Sequence, residues 1–215
     1  MFRSIRHAAR LGPLVALAAA GLTRVAAGEE GALPRLAIRI YDSTGASRES
    51  IDAAGQETVR ILSDAGIGAI WIDCSGDRFD PGAETTCSRP AGPLDVVFKI
   101  LPHPGEAQGH SRETTAFSVV PNDGTPGVLA GVFLDRVLLI GWFARTRTFQ
   151  IVGLLAAHEI GHLLLGTNSH SHAGIMRSEL SDKTLRGASW GHLRFSRSEA
   201  NRMRDALRRR QATLD

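Results

Sequence analysis

Tyrosine and cysteine are scarce in this chain, with one tyrosine, Tyr41, and two cysteines, Cys74 and Cys87, in 215 residues. Two cysteines without a CxxC spacing exclude a thiolate-rich metal site and leave a short-range disulfide as the expected state in an oxidising compartment. No acidic EF-hand-like loop appears, so structural calcium is not expected. Internal repeats, low-complexity tracts and Pro/Gly-rich linkers are also missing, which leaves one folded domain, about residues 35–215, behind a distinct N-terminal segment.

Long apolar runs are lacking too. The run Leu11–Leu22, interrupted by Gly12, Pro13 and Gly21, is too short for a hydrocarbon core that needs about 20 residues, and no other segment is expected to span. Arg3, Arg6 and Arg10 precede that run, and Val25, Ala26 and Ala27 follow it. A basic start, a short apolar stretch and small residues at the end predict a secretory signal peptide over residues 1–27. The protein is therefore expected outside the cytoplasm, secreted or periplasmic, without stable membrane insertion after cleavage, and as a monomer.

A basic surplus is missing once this segment is set aside. The formal charge is +3, but residues 1–27 hold four arginines and no acid, so the remainder carries −1. Nucleic-acid binding depends on basic surface that neutralises phosphates, and the folded part offers none in excess.

What the chain does contain reads as alternating strands and helices. Strands are predicted at Leu36–Tyr41, Ala69–Ile72, Asp95–Leu101, Thr115–Val120 and Val128–Ile140, with a turn-rich hairpin-like connection from Pro121 to Gly127. A helix from Ser47 to Ala65 places Ile51, Ala54, Thr58, Ile61 and Leu62 on one face and stops at Gly66. A second, Thr148–Leu165, is apolar nearly all round and so belongs inside the domain. The last helix starts at Ser196 with Glu199 in a capping-box position, and its arginine-rich end is expected to face solvent. Trp71 and Trp142 are expected in the core, and His103 and His110 in solvent.

The apolar helix carries polar groups at its centre, in His158-Glu159-Ile160-Gly161-His162. Residues four apart are neighbours on a helix face, so both imidazoles can reach one ion while Glu159 points beside it. Neutral imidazole suits Zn²⁺, and a catalytic site keeps one position for water, whose proton Glu159 would accept. An exposed polar stripe would continue along the helix, yet Ile151, Leu155 and Leu165 occupy that face.

Beyond Gly166, which can turn the chain back, come His170-Ser171-His172 and Gly174-Ile175-Met176. The stretch HEIGHLLLGTNSHSHAGIM resembles the metzincin clan of zinc endopeptidases, most closely its matrixin-like members, whose pattern is HExxHxxGxxH followed by a turn containing methionine. The resemblance implies that His158 and His162 are zinc ligands, Glu159 the general base, Gly166 the turn glycine and Met176 the Met-turn residue. It implies an α/β (α+β) zincin with a twisted, mostly parallel sheet, an edge strand, an active-site helix, a Met-turn and a C-terminal helix.

The spacing departs from the clan's. Gly166 lies four residues after His162 instead of three, and Asn168 occupies the usual position of the third histidine. His170, followed by Ser171 as in matrixins, is the favoured third ligand, with His172 the alternative and Glu179 a more distant acidic one. The transition-state tyrosine of some clan members has no counterpart, since Tyr41 lies in the first strand; His192, beside Trp190, is a weak candidate for that role.

The expected activity is zinc-dependent hydrolysis of peptide bonds in a protein or peptide substrate lying along an edge strand, Thr115–Val120 or Val128–Leu134. A zinc-binding domain without turnover, and a zinc hydrolase of a cell-wall amide, are the competing expectations.

Overall fold

Alternating apolar residues pair across neighbouring strands and build one continuous face. In the computed structural model, which describes residues 35–76, 82–104, 113–123, 125–144, 147–178, 185 and 193–214, that face is a ladder. Ile38 lies beside Val96 and Ile40 beside Phe98, while Phe98 and Ile100 lie beside Ala130 and Val132. All seven side chains are fully buried. The expected signal segment, His110, Glu179, Trp190 and His192 lie outside the described residues.

The strands are β1 (Leu36–Asp42), β2 (Ala69–Asp73), β3 (Asp95–Leu101), β4 (Ala116–Val119) and β5 (Leu129–Phe133), in the order β2-β1-β3-β5-β4. The first four in that order run parallel, and β4 pairs antiparallel with β5 at one edge. Parallel neighbours need crossovers, and α1 (Arg48–Asp64) supplies the one from β1 to β2. A short α2 (Glu84–Ser88), not anticipated from sequence, leads toward β3. Cys74 and Cys87 form a disulfide across this stretch.

Helices α1 and α4 (Thr148–Leu165) share one apolar core with the sheet. Their approach is close because Gly153 has no side chain: a Cβ there would stand 2.5 Å from the Ala54 carbonyl oxygen. Thr58 seals the contact by donating its hydroxyl to the carbonyls of Ala54 and Gly153, at 2.8 and 3.1 Å. With 18 residues, α4 is long and apolar enough to cross a membrane, contrary to the sequence expectation, but most of it is buried inside the protein.

The predicted strand Val128–Ile140 is corrected: it ends at Phe133, and α3 (Leu134–Ala144) follows directly. The apolar run is too long for one strand, and past Phe133 its burial is helical, with Val137 buried while Leu138, Leu139, Trp142 and Phe143 are exposed. Trp142, expected in the core, is 81% exposed for that reason. Trp71 does pack against the core, its ring filling the space over Gly55 beside Phe98.

The last helix, α5 (Arg197–Gln211), has the predicted capping box, with Ser196 and Glu199 bonded reciprocally. In its arginine-rich end Arg208 and Arg209 are exposed as expected, but Arg210 is buried and donates to the carbonyls of Leu163, at 2.7 Å, and Gly127, at 3.2 Å. Leu163 lies in the last turn of α4, where a carbonyl has no helical partner. Burial pushes the guanidinium down to about 10.

Candidate metal centre

Helix α4 is buried along most of its length, and the chemistry sits in its C-terminal half. His158, Glu159 and His162 are 6%, 7% and 4% exposed. Three polar groups at such depth need partners, since burying an unpaired one costs several kcal/mol, about 2–7.

Each helical histidine has a fixed ring. Nδ1 of His158 lies 2.7 Å from the Ile175 carbonyl oxygen, and Nδ1 of His162 lies 2.7 Å from that of Thr167. A carbonyl only accepts, so both Nδ1 atoms carry the hydrogen and both Nε2 atoms are left with bare lone pairs. Those two Nε2 atoms face each other at 3.0 Å. Two acceptors at that distance repel unless a cation lies beside both, and tetrahedral Zn–N bonds of about 2.0–2.1 Å would set them roughly 3.3 Å apart.

The third histidine comes from the chain's return. Gly166 caps α4 with a left-handed backbone, φ +65°, and donates to the His162 carbonyl at 2.9 Å. The segment then doubles back, and Ser171 N–H donates to the Met176 carbonyl at 2.7 Å. This brings His170 over the helical pair. Ligand nitrogens of His158, His162 and His170 lie within 4.8 Å of one another, the one such grouping among the described residues. Of the sequence alternatives, His172 is exposed and stands outside it.

The floor is apolar. Met176 is 1% exposed, and its sulfur lies where a Cβ on Gly161 would come within 2.6 Å. Phe195 fills the other side of that space at 2.7 Å, so the glycine inside the histidine motif is a packing requirement. Gly174, at φ +75°, presses against the Arg194 carbonyl, which also accepts from Ile175 N–H at 3.1 Å.

Burial drives the site's charges apart. It lowers His158 to about 4, partly offset by the bond to Ile175, and it lowers His162 as well, so both rings are neutral near pH 7. Glu159 is raised by burial to about 7, against a hydrogen bond from Ser118 on β4. Bases held neutral and an acid poised near neutrality are the pattern of groups arranged for proton transfer.

Sequence reasoning missed three contacts here. They are Ser118 on Glu159, Arg210 on the end of α4, and the hydroxyl of Ser171 on the Glu199 carboxylate. Tyr41 lies on β1 with its hydroxyl donating to the Cys87 carbonyl at 3.4 Å.

No protein-family model and no curated protein matches the chain. Its fold is metzincin-like: it is similar to the crystal structure of archaemetzincin from Methanopyrus kandleri, with a TM-score of 0.50 over 81% of this chain and 96% of that one. The two share 14% sequence identity, and the likeness is one of fold.

Proposed function

We propose that the chain is a zinc-dependent endopeptidase, with His158, His162 and His170 as metal ligands and Glu159 as general base. The observation that carries the reading is the pair of fixed Nε2 lone pairs facing at 3.0 Å with a buried carboxylate beside them. A zinc ion held there would supply Lewis acidity toward the scissile carbonyl and lower the pKa of the attacking water. Glu159 takes the water's proton at a carboxylate oxygen and later returns it to the leaving nitrogen. The Ser118 hydroxyl orients that carboxylate from the strand side.

Substrate is assigned to the outer edge of β4. Of the two strands considered, β5 is paired on both sides, by β3 and β4, whereas β4 ends the sheet and leaves a row of backbone groups for an extended peptide. The reading includes export through residues 1–27 and action as a monomer. The matrixin-like character rests on the His170-Ser171 pair and on Met176 beneath the motif.

The test is Glu159→Gln. Zinc content should stay near one per chain while cleavage of an unfolded protein falls at least about a hundredfold, the lower range for loss of a general base. Undiminished cleavage by the variant would reject Glu159 as the base. Purified cell wall, assayed beside the protein substrate, separates peptidase action from hydrolysis of a cell-wall amide.

A further inference from the structure

His158 and His162 are fixed by a buried helix and by their bonds to carbonyls, but His170 is exposed and sits on the loop between Gly166 and Met176. Its ring has no hydrogen bond among the described residues, so its place depends on the backbone at residues 170 and 171. Two contacts fix that backbone. One is the Ser171 N–H to the Met176 carbonyl, and the other is the Ser171 hydroxyl donating to Oε1 of Glu199.

Glu199 is unusually well suited to be an anchor. It sits in the first turn of α5, where Oε2 accepts from Ser196 N–H at 2.7 Å and its own N–H donates to the Ser196 hydroxyl at 3.2 Å. Glu199 is 6% exposed, and α5 is seated on the core through Met203 and Leu207. A capping box needs only one carboxylate oxygen. The second is directed to a serine 28 residues earlier, beside the exposed histidine.

We infer that Glu199 is a positioning residue for the metal centre, acting through the Ser171 hydroxyl to hold His170 over His158 and His162. This rests on the three-histidine reading above. A charged acceptor makes the stronger bond, so an amide should hold the serine less firmly. Outer contacts of this kind orient metal ligands, and their loss commonly weakens metal affinity 10–100-fold.

The test uses zinc alone, titrated against a competing chelator, and Co²⁺ absorption to report coordination. Ser171→Ala and Glu199→Gln should each weaken zinc binding about 10–100-fold and alter the cobalt spectrum, with little change in the thermal midpoint of metal-free Ser171→Ala. In a His170→Ala background, Ser171→Ala should make no further difference. Wild-type zinc affinity in both single variants overturns the positioning role, and so does an equal loss with and without His170. A wild-type protein that binds no zinc, or a His170→Ala variant that binds it normally, overturns the three-histidine reading itself and the inference with it.

Discussion

Gly161 shows how narrow the tolerances are at single positions. Its missing Cβ leaves room for the sulfur of Met176 and the ring of Phe195, which would stand at 2.6 and 2.7 Å from an added methyl. Gly161→Ala forces one of them to move, and overpacking of this kind costs roughly 1–3 kcal/mol. Ile175, whose carbonyl fixes His158, is the residue before Met176, so the displacement should also reach the metal. Urea denaturation and zinc titration of the variant should show both losses. A variant with unchanged zinc affinity would mean that the floor adjusts without disturbing the ligands.

Among the elements, β1 and β3 are tied by charge as well as by their apolar ladder. Arg39, 2% exposed, donates to Asp95 at 2.8 Å, and Arg89 grips the same carboxylate at 2.6 and 2.9 Å. Burial pushes Asp95 up, but Arg89, the Gly92 N–H and the charge of Arg39 outweigh it and hold the carboxyl below its usual 3.8. A lowered folded-state pKa gives stability that is complete above the unfolded value and lost as pH falls through the folded one. Asp95→Asn strands Arg39 and should cost about 3 kcal/mol at neutral pH. The gap from wild type, read from denaturation curves, should persist at neutral pH and shrink progressively as pH falls toward 3.8 and below. A gap that closes near neutral pH would remove Asp95 as the group responsible.

These elements differ in how legible they are in sequence. The bounds of α4 are readable because an apolar run ends at a glycine that can adopt a left-handed backbone, as Gly166 does. The start of α5 is readable because its capping box is local. The junction of β5 and α3 is not, because a long apolar run fits either period until burial shows which residues face the core. Arg39 with Asp95, 56 residues apart, and Ser171 with Glu199 are fixed by the tertiary fold, and no local pattern announces them. At the site, the nearness of His158 and His162 follows from helical spacing and the His170-Ser171 pair already favours His170, whereas the placing of that ring over the helical pair depends on the path of the loop.

At the scale of the whole molecule, the described residues fall in one compact unit, Leu33–Asp215, held at its far ends by long-range ties. Arg210, in α5, closes the last turn of α4, so the last helix stabilises the one that carries the three polar groups of the centre. Cys74 and Cys87 close a loop with a sequence separation of 13. In the chain-entropy view such a bridge contributes about 3 kcal/mol, and reductant should lower the denaturation midpoint accordingly. An unchanged midpoint after complete reduction would show that the native contacts around α2 suffice.

A three-histidine zinc centre has a signature in X-ray absorption at the zinc edge. Three imidazole nitrogens at about 2.0–2.1 Å plus one oxygen are expected, with one nitrogen lost in His170→Ala and none in His172→Ala. A spectrum with two nitrogens in the wild type, or one altered by His172→Ala and not by His170→Ala, would contradict it.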